Sequence, residues 1–287
     1  TGAQNTRDKK PRREELSDEQ WKLIEPLLPK LGKPRGRPRR DEREVWNGIL
    51  WVLRSGARWY DLPPRFPPYQ TCHRRFQQWV QDGTLRHVLE TLAADLKERG
   101  GLDLSECFID GSFVGAKKGA MDGKDQAGKG SKLMAVADGA GLPVAVHTTS
   151  ASPHEVTLVQ ETLSHVFVCE RPERLIGDRA YDSDPLDQEL KEQGIQMIAP
   201  HRRNRKKPRT QDGRQLRRYK RRWKVERLFA WLHNFRRLIV RQERCLENFS
   251  DLFIWGVSEY YFELFEMASS NLGYLNFFAT VIVIERE

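Results

Sequence analysis

Between Cys107 and Ala151 three short apolar runs follow one another, CFIDGSFVGA, KLMAVADGAG and LPVAVHTTSA, each broken by glycine. Segments this short, rich in Val, Ile and Phe and punctuated by turn residues, fit pleated strands rather than helices. DGAGLP, between the second and third, has hairpin-turn composition, which predicts that these two runs are antiparallel neighbours. Downstream the texture alternates. Glu155 to Val168 reads as a helix, RLIGDRAYD as a fourth strand entering a loop, Pro185 to Gln193 as a helix and IQMIAPH as a fifth strand. QLRRYKRRWKVERLFAWLHNFRRL then reads as one long helix. This order predicts an α/β class, a mixed five-stranded sheet covered by helices.

The preceding segment is all helical in pattern. Ser17, followed by Glu19 and Gln20, is an N-cap for a helix bearing Trp21, Ile24, Leu27 and Leu28, which Pro29 ends. Asp41 caps a second helix with Val45, Ile49, Val52 and Leu53 on one face, ending near Gly56. Leu62 to Pro68 contains four prolines and is predicted to be non-helical. Thr71 is a candidate cap for a third helix. There Phe76, Trp79 and Val80 share a face, leaving His73, Arg74, Gln77 and Gln78 largely on the others. Such a helix suits insertion into a DNA groove, and packing in a plain helical bundle accounts for it equally well. A fourth helix, Leu85 to Arg99, stops at Gly100 and Gly101, where a domain boundary is expected.

Lys and Arg outnumber Asp and Glu by 49 to 40, a formal charge of +9, and the excess is clustered. His201 to Lys224 holds thirteen Lys or Arg against one acid, Asp212; Arg7 to Arg13 and Lys33 to Arg40 are smaller clusters. Clustering of this kind points to a polyanionic partner, with a solvated loop as the plain alternative. The cysteines, Cys72, Cys107, Cys169 and Cys245, are too far apart for a paired-thiol metal motif, so reduced structural thiols and a cytoplasmic location are expected. No apolar segment reaches the eighteen or so residues that span a bilayer; Leu272 to Ile284 is the longest candidate.

Three acids sit where acids are costly or well placed. Asp110 interrupts the apolar run of its strand, where an unpaired carboxylate is expensive and requires compensation. Asp178 follows Leu175, Ile176 and Gly177 at a strand end, where open α/β sheets collect ligands. Glu226 shares a helical stripe with Tyr219, Arg222 and His233, beside an apolar stripe of Val225, Leu228, Phe229, Leu232 and Ile239 that packs on the sheet. Converging carboxylates need a cation, and oxygen-only ligands favour Mg²⁺ or Mn²⁺. Two such ions clamp an in-line phosphoryl transfer. Asp138 is expected to serve its turn, and Asp182 and Asp184 to cap the helix opening at Pro185. Trp223 and Trp231 are expected in the core.

YKRRWKVERLFAWLHNFRRL fits a Y-x2-R-x3-E signature, with IDGS and GDRAYDSDPL supplying the two earlier aspartates. With LSDEQWKLIEPLLP and ASPHEVTLV in the same order, residues 16 to 250 resemble a DDE transposase of the bacterial insertion-sequence four and five superfamily, insertion sequence five group. The resemblance implies a ribonuclease-H-like domain with Asp110, Asp178 and Glu226 as catalytic residues and ligands of two divalent ions. It also implies a bacterial, nucleoid-associated enzyme that binds terminal inverted repeats, cleaves DNA and joins the 3′-hydroxyl ends to target DNA. Two ends must be brought together, so a homodimer on double-stranded DNA is expected. His233 stands where the family usually has lysine, leaving Arg236 or Arg237 to reach a phosphate.

The expected organisation is a basic arm over residues 1 to 15, a helical DNA-binding region over 16 to 100, the catalytic domain over 101 to 250 and an atypical acidic tail over 251 to 287. Expected DNA contacts are Arg222, Tyr219, Arg202, Arg203, Lys206, Lys207, Arg217 and Arg218, with His73, Arg74 and Arg75 on the third helix and Arg35 and Arg37 before the second. The rival readings are a transposase-derived protein that holds DNA without strand transfer and a hydrolytic nuclease of the same fold.

Overall fold

The computed structural model describes residues 15–30, 38–117, 123–125, 128–211 and 213–269. Most of the N-terminal arm, Arg35, Arg37, Asp212 and the tail beyond Ser269 lie outside them. The described residues divide into two compact units, one of those up to Thr84 together with those from Glu259 onward, the other Leu85–Ser258.

In the first unit, α1 (Asp18–Ile24) opens on the predicted cap: Ser17 Oγ accepts from the Gln20 amide, and Gln20 Oε1 accepts from the Ser17 amide. Such a box contributes about 1 kcal/mol. α1 tightens into a 3₁₀ turn, Glu25–Leu27, at Pro26. α2 (Glu42–Ser55) is capped by Asp41, whose Oδ1 accepts from the Glu44 amide, and stopped by Gly56 in the left-handed region at φ 68°. Its Val45, Ile49, Val52 and Leu53 are fully buried. α3 (Tyr69–Gln81) begins after Pro68 rather than at Thr71, because proline at the entry supplies the fixed backbone angle and needs no side-chain cap. Cys72, Phe76 and Trp79 face inward, and the Trp79 ring packs 5.4 Å from that of Trp46 on α2. Arg74 and Gln78 stay exposed.

α4 (Thr84–Glu98) leads into the second unit. Its sheet holds β1 (Cys107–Ala116), β2 (Gly123–Asp125), β3 (Gly128–Ala137), β4 (Pro143–Ser150), β5 (Arg174–Ile176), β6 (Gln196–Ile198) and β7 (Val240–Arg241). The predicted hairpin is present: β3 and β4 are antiparallel, and Asp138 turns the chain by accepting from the amides of Ala140, Leu142 and Asp103. The five main strands lie in the order β4, β3, β1, β5, β6, and β3 alone runs against the others. That mixed order is the ribonuclease-H-like arrangement. β2 and β7 are additions too short to leave a periodic signal in the sequence.

Helices cover both faces. On one, a 3₁₀ turn (Glu155–Leu158), α5 (Val159–Ser164) and α6 (Asp184–Glu192) bury Ile109, Met134, Val136, Leu175 and Met197 together with Leu158, Val159, Leu186 and Leu190. α7 (Trp223–Leu232) packs on β1 and β3 through Val225, Leu228, Phe229 and Leu232. The long helix expected from residue 215 is broken into a 3₁₀ segment (Gln215–Arg221), α7 and α8 (Arg236–Ile239). Phe235 takes an extended backbone and is buried, so the chain turns where periodicity alone runs on, and Ile239, expected in the apolar stripe, is 48% exposed. α9 (Leu246–Ser269) passes through the expected boundary at residue 251 as continuous helix. No helix among the described residues is long and apolar enough to cross a membrane.

Candidate active site

β1 is the strand on which the site is built, and its two edges differ. Along one, β3 pairs without interruption from Phe108 to Gly115. Along the other, β5 pairs only with Cys107 and Phe108, and β7 only with Gly115 and Ala116. Among the described residues no strand covers that edge between Ile109 and Val114, because β5 is three residues long. Asp110 and Gly111 lie at the gap.

Three other segments reach it. β5 ends at Ile176, and Gly177 passes into Asp178, whose Oδ1 accepts from the Ala180 amide at 2.7 Å and caps the 3₁₀ turn Arg179–Tyr181. A Cβ on Gly177 would stand 2.5 Å from the Tyr181 ring, so glycine permits this tight exit. From the opposite direction α7 brings Glu226, half exposed, and Arg222 at its N-terminal boundary. Arg222 Nη1 donates to Asp110 Oδ2 at 2.7 Å, and Arg222 Nη2 donates to Glu226 Oε1. The Tyr219 ring lies 5.8 Å from the same guanidinium. Two of the three predicted acids are thus linked through one cation, and Asp178 acts electrostatically on both Asp110 and Arg222.

Compensation of Asp110 is incomplete. Burial pushes its carboxyl up to about 6; Arg222 and the Gly111 amide offset this in part, while Glu155 and Asp178 add to it. Glu155, expected only as the start of a helix, is therefore a fourth acid at the gap. Its sequence signal is an acid directly after Pro153 and His154 at the exit from the third strand. Tyr181 is fully buried beside Glu155, Asp110 and Asp178; burial and then these three charges hold its hydroxyl well above the usual phenol range.

The basic residues divide into those already engaged and those facing outward. Arg218 and Arg221 both bind Glu106, and Arg202 donates to the carbonyls of Arg179 and Ala180. Arg205 joins Asp182 at 2.9 Å and Asp184 at 2.6 Å, and Lys207 also reaches Asp184. Asp182 and Asp184 therefore clamp the basic loop and do not cap α6, whose N-cap is Ser183 without a side-chain bond. Arg75 is held by Glu42, and His73 packs edge-on to Trp59. Arg237, considered for a phosphate, is buried against Glu243. Arg74, Arg203, Lys206 and Arg217 are exposed, as is Arg236. Trp223, expected in the core, is 47% exposed, with the Arg227 guanidinium over its ring.

Among the described residues no three His, Cys, Asp or Glu side chains gather closely enough, as they lie, to hold a metal ion. Arg222 stands between Asp110 and Glu226 instead. The donor chemistry nonetheless fits a hard divalent cation, since every acid at the gap offers oxygen and Asp110 carries charge that one guanidinium does not balance.

Family models match both parts of the chain. Residues 16–89 match the family described as putative transposase of IS4/5 family, and residues 102–254 match the transposase DDE domain. An IS402 insertion-element protein of 16.2 kDa from Burkholderia cepacia is 36% identical over 145 residues, 48% of this chain and 91% of that protein. A putative transposase for IS402 from the same organism is 35% identical over 145 residues, 48% of this chain and 65% of its own length. The piggyBac transposase in a synaptic complex with hairpin DNA superposes with a TM-score of 0.46 at 11% identity, over 86% of this chain and 72% of that one. From residue 102 to 254 the sheet, the gap in β1 and its acids lie within the matched domain, and the chain belongs to the DDE transposase family.

Proposed function

We propose that this chain binds the ends of a mobile DNA element, cleaves them and joins the freed 3′-hydroxyls to target DNA, with Asp110, Asp178 and Glu226 holding two Mg²⁺ ions, for which Mn²⁺ can substitute. The observation that carries this reading is the meeting of Asp110, at the uncovered edge of β1, with Asp178 and with Glu226 across the Arg222 guanidinium. When bound, divalent cations there supply the charge that activates a water or 3′-hydroxyl and neutralises the leaving oxygen.

The remaining work falls to the protein's own side chains. Asp110 on β1 and Asp178, just beyond the end of neighbouring β5, set the position of the reacting phosphate relative to the sheet. Glu226, half exposed on α7, closes the opposite side. Arg222 exchanges its carboxylate partners for a DNA phosphate, an anion its fork fits equally well, while Tyr219 backs the guanidinium. Arg203, Lys206 and Arg217 hold flanking phosphates, and Arg74 and Gln78 on α3 read the terminal repeat in a groove. Two copies of the chain bring the two ends together.

The test is Mg²⁺-dependent strand transfer on the element's own terminal repeats. Asp110→Ala is expected to abolish joining while leaving repeat binding intact. Retention of metal-dependent joining by that variant would overturn the assignment. The second reading, a protein that holds DNA without cutting it, is favoured by Arg222 already neutralising two of the acids. It predicts repeat binding by the wild-type protein with no strand transfer in Mg²⁺ or Mn²⁺.

A further inference from the structure

The Asp178 turn is packed against the 3₁₀ turn Glu155–Leu158, which follows the exit from β4. That exit is fixed: the buried Lys132 of β3 donates from Nζ to the Pro153 carbonyl at 2.8 Å, and both the amide and the hydroxyl of Thr157 donate to the His154 carbonyl. Glu155 is therefore held on a short rigid arch rather than on a free loop. Its carboxylate lies against Gly111, the residue after Asp110. A Cβ on Gly111 would stand 2.8 Å from Glu155 Oε1 and 2.9 Å from its Cδ, so glycine keeps open the space that the carboxylate enters. Of the acids around Asp110, Glu155 acts on it more strongly than Asp178 does.

A second observation comes from Tyr181. The residue is fully buried, and its hydroxyl is set against the Glu155 carboxylate, with Asp110 and Asp178 nearby. Tyr181 therefore places the Glu155 carboxylate beside Asp110 and Asp178.

We infer that Glu155 is a fourth carboxylate of the divalent-cation site, entering beside Gly111 from the turn that follows β4 while Glu226 enters from α7. The inference rests on the reading of Asp110, Asp178 and Glu226 as a cation site, and it adds a ligand to that site. Physically, Glu155 differs from Glu226 in being pre-placed. Glu226 has to part from Arg222 before it can bind a cation, and Glu155 is positioned by its backbone arch and by the room at Gly111. It therefore reaches Asp110 from a segment separate from α7.

The experiment is a Mn²⁺ titration of the full chain without DNA, read by the loss of the free-ion electron paramagnetic signal. Wild type, Asp110→Asn, Glu155→Gln and Gly111→Ala are compared at pH 8, with a thermal melt of each to establish folding. Glu155→Gln is expected to weaken Mn²⁺ binding at least tenfold. Gly111→Ala, which removes no carboxylate but fills the space Glu155 uses, is expected to weaken it severalfold. If Asp110→Asn loses binding while Glu155→Gln and Gly111→Ala bind as wild type does, the inference about Glu155 is wrong and the site reading stands. If Asp110→Asn also binds as wild type, the site reading itself fails and takes Glu155 with it. Should Glu155→Gln melt far below wild type, the Gly111→Ala titration decides the matter alone.

Discussion

Arg222 Nη1 lies 2.7 Å from Asp110 Oδ2, a pair of residues 112 positions apart in the chain, and the same guanidinium reaches Glu226. The arginine thus competes with any divalent cation for two of the proposed ligands. Arg222→Ala is expected to bind Mn²⁺ more tightly than wild type at pH 8, by about tenfold, equivalent to about 1.4 kcal/mol. Strand transfer is expected to fall in the same variant, because the phosphate loses its planar donor. Both can be read from one preparation, by ion titration and by a joining assay. Unchanged or weaker Mn²⁺ binding would show that the pair persists when the ion is bound.

Asp110 also sets a pH dependence of stability. Its carboxyl titrates at about 6 in the fold, above the ordinary value of 3.8, because burial outweighs Arg222 and the Gly111 amide. Folding therefore gains protons at this residue, and the stabilisation is complete below pH 4 and lost as pH rises through 6. Asp110→Asn, which is neutral at every pH, is expected to raise the melting temperature of the metal-free protein at pH 7.5, on the order of 1–2 kcal/mol of stability. The gain should shrink at pH 4.5, where the wild-type carboxyl is protonated. Saturating Mg²⁺ should reverse the order at pH 7.5, since only the aspartate can use the ion.

What could be read from the chain in advance follows the range of each interaction. The caps at Ser17 and Asp41 and the Asp138 turn were legible because each is completed within a few residues. Asp110 stood out because a carboxylate in an apolar strand has to be answered by something. The answer was not legible: Glu155 and Arg222 come from segments 45 and 112 residues away, joined to Asp110 only by the order of strands. The uncovered edge of β1 depends on β5 being only three residues long, which periodicity does not report. The long helix failed for the converse reason. Helical spacing continues through Asn234, but burial of Phe235 and of the Arg237–Glu243 pair turns the chain there, and tertiary packing overrides local preference.

The basic loop separates into structural and DNA-facing cations. Arg203, Lys206 and Arg217 are exposed, whereas Arg205 is bound to Asp182 and Asp184. Each of Arg203→Ala, Lys206→Ala and Arg217→Ala is expected to lower affinity for any duplex to a similar degree. Each should also reduce the slope of log affinity against log salt by about 1, with no change in melting. Arg205→Ala should lower the melting temperature, because Asp182 is nearly inaccessible to solvent and loses a partner. Fluorescence anisotropy across a salt series and thermal melts distinguish the two classes. A normal salt slope in all three exposed variants would remove this loop from the DNA interface.

Recognition of the terminal repeat is the function least tied to the acids, and it can be tested on α3 alone. Arg74 and Gln78 are four residues apart, hence neighbours on one exposed helical face, while Phe76 and Trp79 are buried on the other. Replacing both Arg74 and Gln78 with alanine is expected to leave the melt within about 0.5 kcal/mol of wild type. Affinity for the cognate repeat should drop at least tenfold relative to unrelated duplex, since a good base contact discriminates by about 1–3 kcal/mol. Phe76→Ala should do the opposite first, costing about 3–5 kcal/mol of stability in the helical unit. The decisive quantity is the ratio of cognate to unrelated binding at one salt concentration, because phosphate contacts cancel in it. A double variant that keeps the wild-type ratio would assign repeat recognition to another element and leave α3 as packing alone.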